Sequence, residues 1–365
     1  MTNKYTPSVN IIRDLNTEIN YIATPNTQLL FDHIISNYLS GAHSFNLIGS
    51  YGTGKSSFLW ALERHLNKKT IYFTESIDTL KPEQFEYLPI IGNYQSIADY
   101  FASFLKYKGE TSPQAIIEEF KKYYQNLHKR GLSLLLVIDE FGKFLEYATN
   151  NSPEKELYFI QLLAEFANDF QNRIIFLTAL HKGFTSYSFG LSHSQMNEWE
   201  KVKGGRFKEI TFNEPVEHLL YLASRRLNSQ ADNLNVDKLL EIVKDAKIFP
   251  LKDHLNKDSA RSLQPFDIIS AAILTKALQK YGQNERSLFQ FIDSNDYLSI
   301  NNFDKEHNPF YNLSCVYDYL LFNHNSFITS KYNPDYLRWK YIESALDRSN
   351  QYSIIAPIIK ILSRS

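Results

Sequence analysis

Residues 44–56 read SFNLI followed by GSYGTGKS. The first part is a short apolar run, the pattern of a buried strand. The second fits G-x-x-x-x-G-K-[ST]. Directly after it, Phe58, Leu59, Leu62 and Leu66 recur at helical spacing. A glycine-rich turn between a strand and a helix is the context in which this motif has a physical meaning. Successive backbone N–H groups curl around phosphate oxygens, and the positive end of the following helix adds to the pull. Lys55 supplies a point charge to the outer phosphates, and the Ser56 hydroxyl is placed to ligate Mg²⁺. Gly49, Ser50, Tyr51, Gly52, Thr53, Gly54, Lys55, Ser56 and Ser57 are thus the expected nucleotide-binding residues. With 13 glycines in 365 residues, a chance match is on the order of one in a few hundred.

A second apolar run, LLLVI at 134–138, ends in Asp139-Glu140. In open α/β sheets the ligand lies outside the carboxyl ends of the strands. Asp139 is therefore expected to hold the metal, through water, and Glu140 to polarise an attacking water. The two motifs are 139 − 55 = 84 residues apart, which leaves room for an extra strand between the motif strands. A third run, RIIFLTAL at 173–180, carries Thr178 and is followed by His181. A polar residue at the end of such a strand can touch the terminal phosphate or the water.

Working outward, Thr24-Pro25 resembles a helix start, with Pro at the first helical position. Further strands are expected at 70–73 and 210–212, and helices at 95–107, 113–128 and 153–170. Strands alternating with helices imply an α/β fold with a parallel sheet covered on both faces. After Pro215 the pattern becomes helical, at 216–227, 236–244, 265–281 and 284–292. The expected organisation is an N-terminal arm (1–24), a P-loop core (25–214), a helical lid (215–295) and a smaller segment (296–365).

The composition excludes other classes. Lys+Arg is 39 against Asp+Glu 40, so there is no global basic field for nucleic acid. The one cysteine, Cys315, excludes a disulfide framework and a cysteine-built zinc or iron–sulfur site. No apolar run approaches the roughly 20 residues of a membrane helix, and residues 1–10 lack a signal-peptide apolar region. A cytoplasmic setting is the expectation. The aromatic content, 15%, is spread along the whole chain and fits core packing rather than a stacking platform.

Two arginines could complete charge stabilisation of phosphoryl transfer. Arg206 lies in KGGRF, where two glycines mark a loop tip. Arg286 lies in GQNERSLF, in an expected first helical turn, where a cation opposes the helix dipole unless an anion is near. Arg261 is a weaker third.

Taken in order, these stretches resemble the AAA+/STAND class of P-loop NTPases. GSYGTGKS resembles Walker A. LLLVIDE resembles Walker B with its catalytic glutamate, and IIFLTAL resembles the sensor-1 strand. KVKGGRFKEITFNEP is similar to the arginine-finger stretch, with Lys203 and Lys208 where that pattern has arginine and aspartate. GQNERSLFQFI is similar to the helix start that carries sensor 2. VIDEFGKFLEYA and the 198–215 stretch resemble ATPases of bacterial anti-phage defence systems, and QNERSLF has a BREX-type counterpart. Tyr317-Asp318-Tyr319 and the region 339–346 resemble a winged-helix segment.

The resemblance implies ATP and Mg²⁺ as cofactors and an ATPase that switches by closing its lid. It also implies self-association through Arg206, or a partner effector protein. The alternative is a nucleic-acid-loading or transposition-type initiator-like ATPase. Residues 296–365 mix Lys331, Arg338, Lys340, Arg348, Lys360 and Arg364 with Asp304, Glu306, Asp318, Asp335, Glu343 and Asp347. That near balance gives DNA little support. A small-molecule kinase is disfavoured by the adjacent Asp139-Glu140 and the separate helical lid. The apolar run at 354–362 has little after it to pack on, which suggests a short family member or the N-terminal part of a longer protein.

Overall fold

The computed structural model describes residues 9–19, 21–50, 52–74, 80, 84–188, 191, 195–197, 199, 206–212, 215–229, 234–247, 255–281, 288–303, 310–330 and 333–349. The chain forms two compact units that divide between Asn213 and Glu214.

The first unit runs α1 (Pro25–Leu39), β1 (Ser44–Ile48), α2 (Lys55–Leu66), β2 (Gln84–Ile91), α3 (Ile97–Phe104), α4 (Pro113–Lys129), β3 (Leu132–Asp139), α5 (Gly142–Asn150), α6 (Pro153–Ala167), β4 (Ile174–Leu180) and β5 (Lys208–Thr211). The sheet order is β2-β3-β4-β1-β5, and every pairing is parallel. β4 thus lies between the strand that enters the glycine-rich loop and the strand that ends in Asp139. This is a parallel α/β sheet in which the strand inserted between the two motif strands is β4, from beyond Asp139; the strand that lies within the 84-residue separation is β2, and it takes the edge of the sheet.

Alternation along β3 buries both faces of the sheet. Leu134, Leu136 and Ile138 join a cluster with α3, α4, α5 and α6. Leu135 and Val137 join a cluster with α1 and α2. At the start of α1, the Thr24 hydroxyl accepts from the Thr27 amide at 3.1 Å, and the Thr27 hydroxyl accepts from the Thr24 amide at 2.8 Å. A reciprocal cap of this kind contributes about 1 kcal/mol.

Two sequence expectations change. Residues 70–73 form no strand; instead Phe73 is buried and stacks on Phe31 with ring centroids 4.6 Å apart. The second strand is β2, QFEYLPII, whose Glu86 and Pro89 mask its strand character. Pro89 is tolerated because β2 is an edge strand of the sheet, with ladder partners on one side among the described residues. Residues 9–19, expected as part of a polar arm, pack onto the α1–α2 face: Val9 and Ile11 are buried there, and Trp60 Nε1 donates to the Asp14 carbonyl at 3.0 Å.

The second unit is helical among its described residues: α7 (Val216–Leu227), α8 (Leu234–Asp245), α9 (Lys257–Ser262), α10 (Ile268–Tyr281), α11 (Leu288–Asp293), α12 (Leu313–Asn323), α13 (Asn325–Ile328) and α14 (Tyr336–Ser349). One apolar cluster runs through it from Leu220 to Trp339. Residues on both sides of position 295 therefore share a core. No helix of the described residues is long and apolar enough to cross a membrane.

Candidate functional site

β1 ends at Ile48 and hands the chain to the loop 49–54. Gly49 is the tightest point. A Cβ there would stand 2.1 Å from the Phe212 carbonyl oxygen, while the Gly49 amide donates to the Leu180 carbonyl at 3.0 Å. Gly54 caps α2 in the left-handed region, φ 96°, with open space where a Cβ would be. The Thr53 hydroxyl donates to the Ser50 carbonyl at 2.8 Å, which tightens the loop. Tyr51 lies outside the described residues, and Ser57 sits half-buried in the first turn of α2.

Lys55 opens α2 and is 5% exposed. Its Nζ donates to the carbonyls of Gly49 and Ser50, the latter at 2.8 Å, and lies 3.4 Å from His181 Nδ1. Burial pulls its pKa down to about 8, against the opposing pull of Asp139 and Glu140. The ammonium therefore faces both acidic residues at the end of β3, although they stand far along the chain.

Asp139 is the last residue of β3 and is buried. Burial raises its pKa. Hydrogen bonds from the Ser56 hydroxyl and the Glu140 amide, and the charge of Lys55, act in the other direction. The Glu140 amide donates to Asp139 Oδ1 at 2.9 Å. Glu140 adopts φ 53°, a left-handed conformation uncommon outside glycine. The turn is fixed on its far side by the Phe141 amide, which donates to the Ala179 carbonyl at 3.0 Å.

This donor set fits a magnesium-bound triphosphate. Ser56 and Asp139 offer two hard oxygen groups already bonded to each other, the chemistry Mg²⁺ takes. Beside them stand a buried ammonium and a glycine loop at a helix N-terminus, the chemistry phosphate takes.

Thr178 does not join this group. In the β3–β4 register Ile138 pairs with Thr178, so Thr178 shares the Ile138 face, and alternation turns Asp139 to the opposite one. Its hydroxyl bonds to its β1 register partner Asn46, and the residue is fully buried. His181, three residues later, is on the side of Lys55. Burial, then the charges of Lys55, Lys143 and Lys182, push its pKa down to about 3, so the ring is neutral near pH 7. Alternation places Thr178 and His181 on opposite faces, and the register to Ile138 gives His181 the face of Asp139.

Arg206 lies at the opposite end of the strands, beside the start of β1. Its guanidinium pairs with Glu165 on α6 at 2.6 Å. Its carbonyl accepts from Asn168 Nδ2 at 2.7 Å, and Asn168 Oδ1 accepts from the amides of His43 and Ser44, at the start of β1. A five-residue strand separates that end of the sheet from the phosphate loop, about 17 Å at ~3.3 Å per residue. Arg261 is taken up by Asp237 in a two-pronged pair at 2.9 and 2.7 Å. Arg286 lies outside the described residues.

No family model matches the chain, and no curated protein does. Among solved structures it is similar to the Aeropyrum pernix ORC2 protein in its ADPNP–ADP complexes, with 16% identity over 76% of this chain and 70% of that one, at a TM-score of 0.39. Cdc6p from Pyrobaculum aerophilum is 18% identical over 74% and 67%, at 0.35. AMPPCP-bound DnaA from Aquifex aeolicus is 14% identical over 94% of each chain, at 0.34. At such identities and TM-scores the likeness carries no statement of function.

Proposed function

We propose that the chain binds ATP and hydrolyses it with Mg²⁺, as a switch ATPase of the AAA+/STAND kind. The observation that carries this reading is the convergence of Lys55, Ser56, Asp139 and Glu140 at the ends of β1 and β3. Loop amides and Lys55 bind the phosphates, with the ammonium exchanging loop carbonyls for β/γ oxygens. Mg²⁺ held by Ser56 and Asp139 would neutralise charge on those oxygens. Glu140 orients a water and accepts its proton as the water oxygen bonds to the γ-phosphorus. The bond to the bridging oxygen breaks, leaving ADP and phosphate. Arg206, at the far end of the strands, serves a neighbouring copy rather than its own site, and Arg286 is a second candidate for charge stabilisation.

Glu140→Gln tests the assignment. It should keep MgATP binding and lose turnover; hydrolysis near the wild-type rate would remove Glu140 from its role. For the setting we propose a regulatory or sensing part of an anti-phage system, supported by the resemblance of the stretches around 137–148 and 198–215. Particle mass measured with and without ATP and DNA separates this from an initiator-like loader. The switch reading expects a mass change with ATP alone, and the loader reading expects one that requires DNA.

A further inference from the structure

The Glu140 backbone lies against the residue that follows a different strand. β2 ends at Ile91, paired with Asp139, and Gly92 follows. The Gly92 amide donates to the Asp139 carbonyl at 2.7 Å. A Cβ on Gly92 would stand 2.1 Å from the Glu140 carbonyl oxygen, 2.8 Å from its carbonyl carbon and 3.3 Å from the Asp139 carbonyl oxygen. These are backbone atoms, which cannot swing aside as a side chain could. Gly92 has no positive φ, so its own conformation is open to any residue. Space alone requires glycine here.

The geometry also says which partner would yield. Gly92 is held from behind by the β2–β3 ladder. Ahead of it, Ser96 caps α3 and donates to Glu156 at 2.6 Å, and the Ile97 amide donates to the same carboxylate at 2.9 Å. Glu156 is 1% exposed, so this anchor is stiff. Glu140, by contrast, already sits in the left-handed region, where a non-glycine residue is held only by its surroundings.

We propose that Gly92 is a positioning residue for hydrolysis: its missing side chain lets the Glu140 turn close against β2 and so aims the Glu140 carboxylate. This rests on the reading of Glu140 as the water-activating group. The atoms that a side chain at Gly92 would meet first belong to the Glu140 backbone, so its substitution is expected to act on hydrolysis ahead of nucleotide affinity.

The test is Gly92→Ala, measured for MgATP affinity, kcat and melting midpoint beside Glu140→Gln and Tyr94→Ala. Tyr94 lies two residues further on, 57% exposed. Gly92→Ala should lose at least tenfold in kcat with affinity within twofold of wild type, and Tyr94→Ala should keep kcat. In the Glu140→Gln background, adding Gly92→Ala should change the single-turnover rate less than twofold, because the carboxylate it aims is gone. A wild-type kcat in Gly92→Ala, or an equal loss in Tyr94→Ala, overturns the proposal. If Glu140→Gln itself turns over normally, the reading of Glu140 fails instead. Should Gly92→Ala melt too early to assay, Gly92→Ala with Glu140→Gly should recover the melting midpoint of Glu140→Gly alone, since glycine relaxes the colliding turn. No recovery overturns the proposal.

Discussion

Raising the pH should loosen nucleotide binding through Lys55. Its pKa is lowered from 10.5 to about 8, chiefly by burial. The gap of about 2.5 units corresponds to about 3 kcal/mol between its charged and neutral forms. The sign follows from proton counts. Between about pH 8 and 10.5 the unfolded chain holds the proton more often than the fold does. Stability from this group therefore rises with pH across that window, and the full penalty stands below pH 8. Phosphate oxygens reverse the imbalance by favouring the ammonium, so binding takes up a proton. Affinity for a non-hydrolysable MgATP analogue should be flat from pH 7 to 7.5. It should then fall about tenfold by pH 9, with about half a proton taken up per nucleotide at pH 8. Calorimetry in buffers of different ionisation enthalpy reads that proton directly. His181 is neutral throughout, since its pKa is pushed down to about 3. Lys55→Arg, whose guanidinium stays charged above pH 12, should flatten the profile. Flat affinity to pH 9.5 with no proton uptake would refute the placement of Lys55 as a buried ammonium awaiting phosphate.

Further expectations concern residues around the site. Thr178→Val removes the bond to buried Asn46 and should cost about 1–2 kcal/mol in urea unfolding, with kcat unchanged because that face looks away from Asp139. Glu156→Ala strips the anchor from Ser96 and Ile97 and should cost about 3 kcal/mol in the same assay. Arg206→Ala breaks a half-exposed pair with Glu165 and should cost less than about 1 kcal/mol. It should slow turnover only at concentrations where copies associate; equal slowing at every concentration contradicts action on a neighbour.

The phosphate loop and the acidic strand end were legible because glycine, lysine and carboxylates at strand termini have local causes. The parallel α/β layering followed from near-continuous apolar strands such as 134–138. What escaped depends on neighbours in space. β2 hides behind Glu86 and Pro89, which only an edge position tolerates. Phe73 resembled part of a strand because a ring buried against Phe31 has the same apolar signature. Thr178 and His181 both offer a polar group at the end of β4, and the register to Ile138, which composition does not carry, decides which face each takes. Gly92 carries no motif, and its meaning is a collision with Glu140.

The most direct measurement pairs equilibrium binding of MgATP with phosphate release, in the wild-type chain and in Lys55→Ala. The wild-type chain should bind and release phosphate under multiple turnover, and Lys55→Ala should do neither while melting within a few degrees of wild type. A folded Lys55→Ala chain that binds and hydrolyses MgATP as the wild type does would contradict the site.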